Sequence, residues 1–151
     1  MCPSHGLLHT THPQPADRRP RRGRGGADDP NRRTGDLGED AAARYLETKG
    51  FRVLDRNWQH RQWELDLVCR DRDTVVFVEV KTRKAGAMGA PGEALTRAKR
   101  TRLIKAASHY LSEHGLWDEP CRFDLAAVTD TGSSLDVEHI ENVFQSDGQL
   151  A

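Results

Sequence analysis

The segment Thr74 to Lys81, Thr-Val-Val-Phe-Val-Glu-Val-Lys, constrains the fold more than any other stretch of the chain. Its β-branched and aromatic residues favour an extended backbone. Alternation sends Val76, Val78 and Val80 to one face and Val75, Phe77, Glu79 and Lys81 to the other. Both faces begin apolar, as in a strand buried on both sides. A carboxylate and an ammonium at the end of such a strand are costly to desolvate unless partnered. Something must therefore compensate Glu79 and Lys81.

The surrounding pattern supplies the other elements. Asp36-Leu37-Gly38-Glu39 has the spacing of a capping box, Leu37, Ala41, Tyr45 and Leu46 recur at helical spacing, and Gly50 makes a C-terminal stop. Phe51 to Trp58 and Trp63 to Arg70 alternate as strands, and with Thr74 to Lys81 they predict a meander joined by short turns. Arg83 to Gly92 carries Gly86, Gly89, Pro91 and Gly92, the composition of a mobile loop. A second helix is predicted from about Gly92 to His114, its buried stripe being Leu95, Ala98, Leu103, Ala106, Ala107, Tyr110 and Leu111, with Gly115 ending it. Strands at Cys121 to Thr129 and Leu135 to Ile140 follow, separated by the Thr131-Gly132-Ser133 turn. The predicted order is α-β-β-β-α-β-β, an α/β protein without an internal repeat.

A length of 151 residues suits one compact domain. Residues 1–34 hold five of the seven prolines and show no apolar periodicity, so they are expected to form a disordered Arg/Pro/Gly-rich tail ahead of a domain at 35–151. The balance of 23 basic and 23 acidic residues hides an asymmetry: the tail has seven arginines against three aspartates, and the remainder is net acidic. Binding of a polyanion must then rely on a local patch rather than on bulk charge. No apolar run is long enough to span a bilayer, and the N-terminus lacks a secretory h-region, so a cytoplasmic location without membrane contact is expected. Cys2, Cys69 and Cys121 are scattered, which fits neither a disulfide framework nor a four-cysteine zinc site. A metal here should be hard and oxygen-bound.

In the second strand Trp63, Leu65, Leu67 and Cys69 are expected to share one face, leaving Glu64 and Asp66 on the other with Val68. Hairpin pairing would bring Asp66 close to Glu79. Two converging carboxylates offer ligands suited to Mg2+ or Mn2+, which keep several waters and accept phosphate oxygens. Lys81, on the Glu79 face, could position an attacking water and offset charge growing on phosphorus. On spacing alone, an edge strand blunted by a simple Glu79–Lys81 pair is the commoner explanation.

A resemblance covering about Gly35 to Phe144 adds to this. The segments Gly35-Asp36-Leu37-Gly38-Glu39-Asp40-Ala41-Ala42, Leu46, Gly50, Asn57, Glu64-Leu65-Asp66-Leu67-Val68, Phe77-Val78-Glu79-Val80-Lys81-Thr82-Arg83, Lys99 and Arg122-Phe123-Asp124 resemble the YraN family of bacterial proteins. That family is assigned to the restriction-endonuclease-like, PD-(D/E)xK nuclease superfamily, with similarity to Holliday-junction resolvases. The resemblance implies a central mixed sheet flanked by helices, metal ligands at Asp66 and Glu79, the superfamily lysine at Lys81 and an auxiliary helical acid at Glu39. The chain departs from the family where Trp63 stands in place of the usual glycine.

Several residues keep two readings. Glu39 is either the returning member of the capping box or an acid beside the metal, Glu64 either assists or merely ends the sheet, and Asp124 either supports the site or pairs with Arg122. Between Lys81 and Lys105 eight basic residues face the single acid Glu93. Of these, Arg83, Lys84, Arg97, Lys99 and Arg100 are the candidates for holding a phosphate backbone, although Arg97, Arg100 and Arg102 do not share one helix face. Trp58 and Trp63 could stack on exposed bases or simply pack. The function expected is a Mg2+- or Mn2+-dependent nuclease acting on DNA, branched or single-stranded. The competing class is a nucleic-acid-binding or adaptor protein that retains the fold, and a homodimer or a protein partner stays open for either.

Overall fold

The computed structural model describes residues 30–87, 89 and 95–146. Its order is α1 (Pro30–Thr48), β1 (Arg52–His60), β2 (Trp63–Asp71), β3 (Thr74–Lys84), α2 (Arg97–Glu113), β4 (Cys121–Asp130) and β5 (Leu135–Phe144). The five strands form one mixed sheet in the order β1-β2-β3-β4-β5. The first three are an antiparallel meander, β3 and β4 pair in parallel through the α2 crossover, and β4 and β5 are again antiparallel. The element order and the flanked mixed sheet are those anticipated from the sequence.

The helices cover opposite faces of the sheet. Leu103, Ile104, Ala106, Ala107, Tyr110 and Leu111 of α2 pack on Leu65, Val68, Val75, Phe77, Phe123 and Leu125. Ala42, Ala43 and Leu46 of α1 pack on Leu67, Cys69, Val76, Val78, Ala126 and Val128. Val75 to Glu79 are therefore all buried, and each apolar side chain among them contributes about 1.5–3 kcal/mol of transfer free energy. Because β3 is the central strand, an edge strand blunted by charge does not describe Glu79 and Lys81.

Four sequence-based expectations need correction. Helix α1 runs from Pro30, so Asp36 lies inside it and is not its N-cap. Glu39 is thereby released from a capping role. Helix α2 starts at Arg97, behind an N-cap in which Thr96 accepts a hydrogen bond from the Lys99 N–H, and Ala98 is exposed rather than buried. Strand β3 continues to Lys84, taking in the start of the expected loop. The fourth concerns β2: Leu65 joins the α2 face whereas Leu67 and Cys69 join the α1 face, so these residues do not share one side. Residues 1–29 of the expected tail, together with 88 and 90–94 of the expected loop and helix start, lie outside the described residues.

Glycine shapes one contact that matters for the site. A Cβ at Gly38 would land on the Thr82 hydroxyl, so only glycine lets α1 lie this close to β3. The next residue of the helix is Glu39.

Candidate functional site

The reversal of facing in β2 occurs at Asp66. Regular β2–β3 pairing ends at Leu67 opposite Val78, and the next pair would be Asp66 and Glu79. There the Asp66 side chain enters the ladder instead, Oδ2 accepting the Val80 N–H at 2.9 Å. On the other side, Asn57 lies between the Arg56–Leu67 and Trp58–Leu65 pairs, opposite Asp66, with a left-handed φ of 49°. This local irregularity resets the alternation and turns Asp66 towards Glu79.

The two carboxyl groups lie close enough to hydrogen-bond to each other. Burial and then the charge of Glu79 push the Asp66 carboxyl well above the ordinary carboxylate range, against the opposing Val80 N–H, and the charge of Glu39 adds to the rise. Glu39 is also shifted upward, first by burial, with the Asn57 side-chain hydrogen bond opposing. Its Oε2 atom is buried without a hydrogen-bond partner among the described residues. Three acids from α1, β2 and β3 thus load one region with more negative potential than its donors relieve.

Cations come from α2. Lys99 Nζ lies 2.5 Å from Glu79 Oε1, and Lys99 and Arg102 line a cavity of about 150 Å3 with Gln62, Trp63, Glu64, Asp66, Glu79 and Leu103. Lys81 follows Glu79 by two residues on an uninterrupted strand, in register with Ala127, and is exposed. The structure therefore brings together Glu39, Asp66, Glu79 and Lys99, adding Glu64 and Arg102. The contact between Lys99 and Glu79 spans twenty residues and has no local sequence signal, whereas Asn57 carried no hint of its bond to Glu39.

The remaining basic candidates diverge. Arg83 Nη1 donates to the Gly89 carbonyl at 3.2 Å, and Lys84 is exposed at the end of β3. Arg97 and Arg100 line a different cavity with Thr101, Phe144 and Ser146, and Arg100 Nε donates to the Leu95 carbonyl at 3.0 Å. They stand away from Lys99 and the carboxylates. Asp124 is paired with Arg122, which donates from Nε at 2.9 Å and from Nη2 at 3.0 Å. The structural alternative for Asp124 is the one realised.

The donor set bears on which metal could fit. Among the described residues no three His, Cys, Asp or Glu side chains are grouped tightly enough to form a cage. Two facing carboxylates suit Mg2+, which is ordinarily held by one or two carboxylates and several waters. The ammonium of Lys99 against Glu79 is a stand-in for such a charge, and the orphaned Glu39 Oε2 leaves an acceptor unused nearby. The residues present therefore fit a hard divalent ion.

Among the described residues no helix is long and apolar enough to cross a membrane. Residues 38–128 match the uncharacterised protein family UPF0102. A UPF0102 protein of Nitratidesulfovibrio vulgaris is 50% identical over 111 residues, covering 74% of this chain and 83% of that protein. One from Lawsonia intracellularis is 46% identical over 111 residues, covering 74% and 84% respectively. One from Oleidesulfovibrio alaskensis is 54% identical over 95 residues, covering 63% of this chain and 47% of the relative. The match spans α1 to β4 and includes every carboxylate of the site, so the chain belongs to UPF0102, the YraN family.

Proposed function

We propose that the protein is a metal-dependent nuclease that hydrolyses phosphodiesters in DNA. The observation that carries this reading is the facing of Asp66 and Glu79 where β2 and β3 part, inside a cavity that Lys99 and Arg102 also line. Buried carboxylates with few donors are unfavourable for stability and mark groups adapted to another task. Asp66 and Glu79 would hold Mg2+ or Mn2+, with Glu39 as auxiliary acid. Such an ion, when bound, supplies Lewis-acid polarisation of a phosphoryl oxygen and acidifies water. Lys81 would hold the attacking water by hydrogen bonding, on the face from which Glu79 projects. Lys99 and Arg102 would orient the phosphate and offset the charge that grows on it.

A second reading, a nucleic-acid-binding or adaptor protein that keeps the fold without turnover, has one specific observation in its favour. Lys99 already neutralises Glu79, so this carboxylate is balanced without an added ion.

The test is a cleavage gel with Mg2+ or Mn2+ against labelled duplex, single-stranded, flap and four-way-junction DNA and RNA, run beside Glu79→Ala and Lys81→Ala. Metal-dependent cutting that both variants lose by 100-fold or so supports the nuclease. Binding without cutting on every substrate supports the second reading, and equal cutting by wild type and Glu79→Ala would falsify the assigned site.

A further inference from the structure

Four planar side chains form a row that crosses from the β1–β2 hairpin to α2. Trp58 stacks on His60 with ring centroids 6.0 Å apart and planes 12° apart. His60 stacks on His109 at 5.4 Å and 28°, and His109 stacks on Trp63 at 5.9 Å and 21°. The inner end is anchored, because Trp58 is buried and meets Tyr110 edge-on. Trp58 is thus removed from the list of bases' possible partners. The outer end is Trp63, half-buried, which lines the same cavity as Asp66 and Glu79.

The row fixes the plane of the Trp63 indole, so its immobilisation cost is met before any ligand arrives. Charge runs along it: Lys99, Arg102 and Lys105 recur at three-residue spacing on α2, and Lys105 Nζ lies over the Trp63 ring, 5.7 Å from its centre. Planar π surface bordered by a line of cations is the pairing that unpaired nucleic acid presents in reverse, a free base face beside a phosphate chain. A duplex cannot use this platform, since the faces of its bases are already covered by their neighbours.

We propose that Trp63 is a stacking platform for an unpaired nucleotide, and that Lys99, Arg102 and Lys105 carry the phosphates of that strand into the carboxylate site. The inference rests on the nuclease reading only for the class of ligand and deepens it by naming an unpaired strand as the substrate. Glu64, in the same cavity wall, is the acid that opposes phosphate there and helps keep the strand on the α2 side.

The experiment measures anisotropy of labelled oligothymidine and of a duplex of equal length with chelator present, so turnover does not enter. Wild type should bind the single strand more tightly. Trp63→Leu, which keeps apolar bulk without a π face, should lose roughly 5- to 100-fold for the single strand and little for the duplex, whereas Trp63→Phe should keep most of the affinity. Lys105→Gln should weaken both ligands and flatten the salt dependence by about one unit of log–log slope. A melting scan identifies any variant that fails to fold, and the preference of the wild-type protein for single strand over duplex, together with Lys105→Gln, then carries the test. Equal affinity for single strand and duplex, or a Trp63→Leu protein that binds both as wild type does, overturns the proposal. Single-strand preference that survives without cleavage on any substrate would defeat the nuclease reading and leave this one standing.

Discussion

Two aspartates on nearby strands of one sheet, Asp124 fully buried and Asp66 half-buried, meet opposite treatment. Asp124 on β4 accepts from Arg122 twice, from the Asn142 N–H at 2.9 Å and from His139 Nε2 at 2.7 Å. Burial alone would raise its pKa, but these donors outweigh burial and hold it below the ordinary value. The Asp66 side chain on β2 receives one backbone N–H and faces two further acids, and its pKa is raised. Lys49 Nζ donates to His139 Nδ1 at 2.8 Å, which leaves Nε2–H to donate to Asp124, so the paired cluster is connected to the surface. The contrast separates a carboxylate that the fold needs from one that the fold tolerates.

The largest expected effect comes from breaking the satisfied member. Asp124→Ala leaves His139 Nε2–H without its acceptor and Arg122 with only the longer contacts to Asp71 at 3.5 Å and Glu141 at 4.0 Å, and should cost about 3–5 kcal/mol, seen as a fall in Tm. An unchanged melting temperature would show that the network carries no net stability. Next comes the contact that brings α1 to the other cluster. Gly38→Ala should cost roughly 1–3 kcal/mol through its collision with Thr82, and Thr82→Ala in the same chain should restore most of it. Additivity of the two substitutions would place the cost elsewhere.

The strained member should respond with the opposite sign. The native Asp66 carboxyl binds its proton more tightly than the unfolded chain does, so stability falls as pH rises from the ordinary carboxylate pKa to the raised native one. With chelator present at neutral pH, Asp66→Asn should therefore stabilise by about 1–2 kcal/mol, since it keeps an acceptor for Val80 and needs no proton uptake on folding. A destabilised variant would contradict the account of frustration. The smallest effect is the acid titration of the satisfied member. Its folded pKa is depressed, so the stability it gives is present above the unfolded value and lost as pH falls through the folded one. The Tm gap between wild type and Asp124→Asn should narrow below about pH 4, and a gap that stays constant there would count against the pairing.

Much of this was legible in the chain. The β-branched run at Thr74 to Lys81 announced a doubly covered strand, and the order of elements followed from periodicity and glycine punctuation. The Asp66–Glu79 juxtaposition was legible too, because antiparallel hairpin register fixes which residues meet across a short turn. The capping box at Asp36 misled, since a helix can run through a good cap when residues before it also take helical geometry.

What only tertiary structure decided were the long-range choices. Side-chain alternation is a local rule, and it failed in β2 because Asp66 took a ladder position that a carbonyl ordinarily fills. Among eight similar cations, nothing local distinguishes Lys99 from Arg97 or Arg100, yet the crossover aims one at Glu79 and the others at Phe144. Local sequence determined which elements exist and which face of each is apolar, because propensity and periodicity act over a few residues. The packing of α1 and α2 on opposite faces determined which charges share a cavity, because that depends on contacts between segments far apart in the chain.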